Sequence, residues 1–176
     1  MIFISLGTQK FQFNRLLKYI DEKIKSQEIS EEVFAQIGYS TYIPQNYEYK
    51  DFLDKKEFES IIEKSDLLIT HAGVGTIIAA MKHEKPIIVV PRLSKFEEHV
   101  DNHQLQIAEA FSSKNIIISN GEKIEDLLDN INKAKKFKFE KYISSNKKIQ
   151  SIIEDFITSS FNTGEWLKWK KLELHI

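Results

Sequence analysis

Residues 66–91, DLLITHAGVGTIIAAMKHEKPIIVVP, decide the fold. An unbroken apolar run meets His71, Gly73, Gly75 and Thr76, passes into the helical stretch TIIAAMKHE, and reaches a second unbroken apolar run, PIIVVP. Strands that are apolar at every position are buried on both faces, which is the condition of a parallel sheet covered by helices. The stretch therefore reads as strand, turn, helix, strand.

The same alternation extends in both directions. IFISL is a short apolar run ending at Gly7-Thr8, and in the following FNRLLKYIDEKIKS the residues Phe13, Leu16, Leu17, Ile20 and Ile24 recur at helical spacing. EVFAQIG reads as a second strand ending at Gly38, and YSTYIPQNYEYKDFL as a loop around a third, short strand. KEFESIIEKS is a helix, HVDNHQLQIAEAFSS another, NIIIS a last strand, and KIEDLLDNI and SNKKIQSIIEDFI are helical. Strands separated by helices predict a doubly wound α/β domain. No internal repeat and no linker interrupts it.

Composition narrows the function classes. With 176 residues, 41% of them hydrophobic, the chain suits one domain with a real core. The absence of cysteine excludes disulfides, thiolate metal sites and a cysteine nucleophile, and agrees with a reducing compartment, so a cytoplasmic location is expected. Lys+Arg 25 against Asp+Glu 26 gives a net charge of -1, which offers no global basic field for nucleic acid. The apolar start of MIFISLGTQKF is too short for a signal segment or a membrane span.

In doubly wound sheets, ligands bind beyond the carboxyl ends of the strands, where loops that open helices present N–H groups and a positive dipole end. The corner His71-Ala-Gly-Val-Gly-Thr76 belongs there. Gly73 and Gly75 permit tight turns and close backbone approach, Thr76 suits a helix cap or an oxyanion, and His71 adds a donor with access to a positive charge. Gly7 and Thr8 occupy the same rim at the first strand end. Both corners also suit ordinary glycine turns, but two of them converging favour a diphosphate or nucleotide. The third glycine of a dinucleotide fingerprint is absent.

A third constellation is PRLSKFEEHVDNHQ, where Arg92, Glu97, Glu98, His99, Asp101, Asn102, His103 and Gln104 crowd a loop and helix start. Acidic and amide groups are suited to sugar and ribose hydroxyls, and equally to an acid-capped helix start. His99 and His103 are spaced to share a helix face, but the string lacks the glutamate of H-E-x-x-H and any evident third ligand, so no metal is expected. The chain also has no D-x-D triplet and no G-x-S-x-G nucleophile elbow. The tail mixes Trp166, Leu167, Trp169, Leu172 and Leu174 with Lys168, Lys170 and Lys171, which suits either packing on the domain or contact with a partner or membrane.

SLGT, ITHAGVGTII, KPIIVVPR and EEHVDNHQLQIAEAF, in this order and spacing, resemble the sugar-nucleotide-binding half of the glycosyltransferase family 28 enzymes. Among these the chain is most similar to split members: the soluble subunit of the eukaryotic dolichol-linked N-acetylglucosamine transferase, and small bacterial capsule or exopolysaccharide subunits paired with a membrane-associated partner. The resemblance implies a Rossmann-like domain over residues 1–160, a single half of the two-domain GT-B architecture, followed by a tail at 161–176 for partner or membrane contact.

Ile37-Gly-Tyr-Ser40 and YIPQN look most like bacterial subunits that add a β-1,4-linked galactose to a lipid-diphosphate-linked glucose. By the same resemblance Gly7, Thr8, His71, Gly73, Gly75 and Thr76 bind the diphosphate of a UDP-sugar. Glu98, His99, Asn102 and Gln104 face the sugar or ribose, Asn102 and Gln104 foremost, and His99 and Glu98 are the candidates for a catalytic group. No cofactor and no metal is implied. Ala79 stands where related enzymes carry an acidic residue that grips the ribose.

The implied reaction is inverting transfer. The partner binds the lipid-diphosphate-linked acceptor and holds this subunit at the inner face of the plasma membrane, and it is also a source for the general base. Two readings stay open: a catalytic subunit, or an accessory subunit that binds and enhances a partner transferase. A homodimer of the isolated chain is open as well.

Overall fold

The computed structural model describes residues 1–111 and 116–136. Among them, in chain order, are β1 (Ile2–Ser5), α1 (Asn14–Lys25), β2 (Val33–Gln36), β3 (Glu48–Lys50), α2 (Lys55–Lys64), β4 (Leu67–Thr70), α3 (Val74–Lys82), β5 (Ile87–Val89), a 3-10 turn (Ser94–Phe96), α4 (His103–Ala110), β6 (Ile116–Ile118) and α5 (Asp126–Lys136). The six strands form one parallel sheet in the order β3-β2-β1-β4-β5-β6. This is the doubly wound arrangement expected from the sequence, and its strand order reverses between β1 and β4.

The apolar runs fill the middle of the sheet. Every residue of β1, β4 and β5 is buried, whereas β3 at the edge is exposed throughout. Leu16, Leu17, Tyr19 and Ile20 of α1 and Leu127, Ile131 and Ala134 of α5 close over one face with Ile2, Ile4 and Ile69. Exposed ends are finished by local chemistry: Asp54 and Glu57 form a capping box at α2, each side chain taking the other's backbone N–H.

The connection from β2 to β3 is tied to α1. The buried Asp21 carboxylate accepts the Tyr42 hydroxyl (2.7 Å), the N–H groups of Gln45 (2.9 Å) and Asn46 (2.8 Å), and Asn46 Nδ2 (2.9 Å). Burial opposes its ionisation, but these donors outweigh that and hold the Asp21 carboxyl below its usual range. Asn14 Oδ1 takes the N–H groups of Thr41 and Tyr42, and Ser40 Oγ takes that of Phe13.

One element differs from the sequence reading. HVDNHQLQIAEAFSS is helical only from His103, because Glu97 adopts a left-handed backbone (φ 57) and side chains of the preceding loop bond within that loop. His99 therefore precedes the helix, and the shared helix face expected of His99 and His103 does not form. The helix SNKKIQSIIEDFI and the tail 161–176 lie outside the described residues, as does the end of the domain expected at 160. Among the described residues no helix is long and apolar enough to cross a membrane.

Candidate functional site

The carboxyl ends of β1 and β4 adjoin at the reversal of strand order, with Ser5 paired to Thr70. That pairing sets Gly7 beside His71. Gly7 has φ +72, a backbone most residues avoid, and a Cβ added there would lie 2.6 Å from His71 Cε1. A Cβ on Gly73 would lie 2.4 Å from His71 Nε2. The two glycines flank the imidazole, and a side chain at either place would force the ring to shift. Gly38, also left-handed, backs Gly7: its own Cβ would meet Gly7 O at 2.9 Å, and Gln36 Nε2 donates to that same oxygen at 3.1 Å.

His71 is only 5% exposed. Thr70 Oγ1 commits its proton to Ser5 O (2.7 Å), so it offers His71 Nδ1 a lone pair at 3.4 Å, and Ser5 O offers another at 3.5 Å. Both partners call for the proton on Nδ1 and leave Nε2 as the acceptor nitrogen. Burial, and then the nearby Arg92 charge, push the His71 pKa down to about 3. The positive charge expected of His71 from the sequence is therefore not carried by the free protein: desolvation keeps the ring neutral.

A consequence is measurable. With a folded pKa near 3 and an ordinary value of 6.5, the unfolded chain binds more protons between those limits, so this group's contribution to stability falls as pH drops through that window. The slope is at most about 1.4 kcal/mol per pH unit. Urea denaturation of the wild type and His71→Asn from about pH 7 to about pH 4.5 should show a shallower acid loss in the variant. Equal slopes would contradict the buried neutral ring.

The remaining corner residues are placed along the same rim. Gly73 is the N-cap residue of α3, and no side chain caps that helix, so Thr76 does not take the capping role open to it. The first-turn N–H groups of α3 stand at the rim without a side-chain partner, at the positive end of the helix. Thr8 and Gly75 are exposed and Thr76 is half-buried. A Cβ on Gly75 would meet nothing within 4 Å, so the free protein does not require glycine there.

The segment from Arg92 to Gln104 follows β5, the next strand. Glu98 is 0% exposed, and its carboxylate accepts Arg15 Nε and Nη2, both at 2.9 Å, and the Leu93 N–H at 3.1 Å. In the free protein both oxygens of Glu98 thus already accept from the protein, a fixed position that its expectation as a sugar contact or catalytic group did not include. Asn102 Oδ1 accepts from Ser94 N and Oγ at 3.0 Å, and Gln104 Oε1 accepts from Arg92 N at 3.0 Å. These amide oxygens shape the loop and leave only the NH2 ends for a ligand. His99 packs against the Phe11 ring (4.7 Å between centroids), with Nδ1 3.0 Å from Asp101 Oδ1.

The sequence reading missed how Arg92 joins the two regions. Its Nη2 donates to Leu6 O (2.9 Å) and Phe11 O (3.2 Å), on either side of the Gly7-Thr8 loop. An arginine directly after a buried strand and Pro91 was the available signal. Ala79 lies on α3, leaving no carboxylate at that position. Among the described residues no three His, Asp or Glu side chains are grouped to hold a metal ion. A depression lined by Met1, Val33, Phe34, Glu48 and Ile61 sits at the opposite, amino ends of the strands.

Comparison with known proteins gives this geometry a family. The model of the glycosyltransferase family 28 C-terminal domain matches residues 1–156. A human protein, UDP-N-acetylglucosamine transferase subunit ALG13, is 30% identical over 116 residues, covering 61% of this chain and 10% of that protein. The UDP-N-acetylglucosamine--N-acetylmuramyl-(pentapeptide) pyrophosphoryl-undecaprenol N-acetylglucosamine transferase of Prochlorococcus marinus (strain MIT 9301) is 32% identical over 121 residues, 62% of this chain and 33% of that one. The chain thus spans a tenth to a third of the length of these relatives. Among solved structures, the glycotransferase of kitacinnamycin (TM-score 0.59, 76% of this chain and 34% of that) and MurG of Acinetobacter baumannii (0.52, 76% and 41%) share the fold at 18% identity. The fold is that of one half of a GT-B enzyme.

Proposed function

Because the chain belongs to the glycosyltransferase family 28 C-terminal domain family, we propose that it is the UDP-sugar-binding, catalytic subunit of a two-part inverting hexosyltransferase. The observation that carries this reading is the corner at the strand-order reversal, where Gly7, His71 and Gly73 pack together beside the uncapped start of α3. Backbone N–H groups and a helix dipole aimed at one point are the means by which this fold class holds a diphosphate. The relatives named for UDP-N-acetylglucosamine transfer support a UDP-sugar donor.

The chemistry follows from the leaving group. An acceptor hydroxyl attacks the anomeric carbon, the bond from that carbon to the diphosphate oxygen breaks, and UDP departs with the electron pair. The negative charge that develops on the diphosphate is met by the α3 N-terminus, which stabilises the transition state more than the ground state. A general base takes the hydroxyl proton. Glu98 is engaged elsewhere, so we assign the base to the partner subunit across the cleft or to His99, the remaining candidate in this chain. No metal or other cofactor enters this scheme.

The acceptor we propose is a lipid-diphosphate-linked sugar, reached through a membrane-associated partner subunit that holds this chain at the cytoplasmic face of the membrane. Likeness of Ile37–Ser40 and YIPQN to bacterial subunits makes galactose in β-1,4 linkage, for a capsule or exopolysaccharide, the proposed transfer. Ala79 favours a second reading, an accessory subunit that binds and enhances a partner transferase, because the ribose-gripping carboxylate of related enzymes is missing there.

The deciding measurement is calorimetric titration of the full chain with UDP, UDP-galactose, UDP-glucose and UDP-N-acetylglucosamine without metal. We expect one donor to bind best, His71→Ala to weaken it by roughly tenfold because the ring against which Gly7 and Gly73 pack is gone, and Gln104→Ala to weaken it by a similar factor through one lost buried polar contact. No binding of any donor, alone or with the partner present, would sink the catalytic reading.

A further inference from the structure

Arg92 is 0% exposed, yet its guanidinium is incompletely paired. Nη2 holds the carbonyls of Leu6 and Phe11, while Nε and Nη1 are buried without an acceptor among the described residues. The guanidinium lies 5.5 Å from the centre of the Phe13 ring, and the Arg15 guanidinium lies 5.6 Å from that same centre. Two arginines therefore flank one phenylalanine. Among the described residues one buried carboxylate serves them, and Glu98 gives its oxygens to Arg15 and to the Leu93 N–H.

Counting buried Arg92 and Glu98 with the half-buried Arg15, the group carries one positive charge in excess. A buried cation without a counter-ion is costly, and the surrounding structure stores that cost until an anion arrives. Burial lowers the Arg92 pKa to about 10 against the opposing pull of Glu98, which still leaves it charged at neutral pH. Its field reaches the corner, since the Arg92 charge is among the causes that depress the pKa of His71.

We propose that Arg92 supplies the positive charge of the anion crevice from beneath the Gly7-Thr8 loop, and that the bound diphosphate is its missing counter-ion. The claim deepens the functional reading above and rests on it for the identity of the ligand. Arg92 is a positioning residue: it touches the loop carbonyls, and the loop touches the ligand. It takes over the electrostatic role that the neutral His71 does not fill in the free protein.

Two variants separate charge from bracing. Arg92→Gln keeps N–H donors for the Leu6 and Phe11 carbonyls and loses the charge, whereas Arg92→Lys keeps the charge with a single-point donor. The full-length chain and both variants are titrated with inorganic pyrophosphate, UDP and uridine at low and raised salt, and the His71 ring is followed by NMR as pH falls. We expect Arg92→Gln to weaken pyrophosphate and UDP by at least about tenfold while uridine is unchanged, and Arg92→Lys to stay within about threefold of wild type. The His71 pKa should rise in Arg92→Gln and stay low in Arg92→Lys.

Wild-type-like pyrophosphate affinity in Arg92→Gln overturns the proposal. So does equal loss in both variants, which would make Arg92 a brace alone, and so does failure of pyrophosphate to bind the wild type. Pyrophosphate binding that depends on Arg92 without any UDP binding would leave this inference standing and remove the nucleotide reading.

Discussion

Gly7→Ala is expected to destabilise the protein by about 3 kcal/mol and to weaken UDP binding beyond measurement. Two independent faults combine. The backbone at φ +72 costs a non-glycine residue about 1–2 kcal/mol, and the new methyl would stand 2.6 Å from His71 Cε1 and 2.9 Å from Nε2. The ring has no easy retreat, because Gly73 closes its other side and Ser5 O and Thr70 Oγ1 hold Nδ1. Overpacking of this kind adds about 1–3 kcal/mol. Gly73→Ala has the second fault without the first, since its φ is -77. Gly75→Ala has neither, so its stability should stay level or rise by a few tenths of a kcal/mol, the ordinary preference of a helix for alanine, estimated as roughly 0.5. Urea denaturation of the three variants should rank them in that order. A Gly7→Ala protein as stable as wild type would mean that the corner is not built as described.

Glu98→Gln is the second large effect, with an expected loss of about 3 kcal/mol. Removing one member of a buried ion pair strands the other, at a typical cost of about 3–5 kcal/mol. The low end applies here because the Arg15 side chain is 20% exposed and recovers some hydration. An amide keeps one acceptor oxygen and turns an NH2 donor toward the other Arg15 N–H, so the bidentate grip on Arg15 is lost, and among the described residues no carboxylate hydrogen-bonds either guanidinium. Adding Arg15→Met to Glu98→Gln should return part of the loss, because it removes the stranded charge. Strict additivity of the two changes would show that the pair is not coupled.

Much of the architecture was legible because buried parallel strands leave unbroken apolar runs, and IFISL, DLLIT and PIIVV are such runs. The corner at 71–76 was legible for the same reason, since glycines directly after a strand have few other uses. What the sequence hid was burial. His71 reads as an available cation until two glycines from different loops are found against its ring. Glu98 reads as an exposed acid in a charged segment, and its partner Arg15 lies far away along the chain on α1. The start of α4 was misplaced because side-chain bonds of Asp101 and Asn102 compete with helix formation over residues 98–102, a contest that periodicity does not register.

The position of β1 has a consequence for how the chain reaches this state. It pairs with β2 on one edge and β4 on the other, and both follow it in the sequence. A nascent chain therefore presents an apolar strand with two open edges, and the second closes only once residues 67–70 have left the ribosome. No local hairpin shelters it in the meantime, because parallel neighbours need a crossover between them. Synthesis rate and chaperone capture over that interval, more than the stability of the finished domain, are what should govern its yield in a cell.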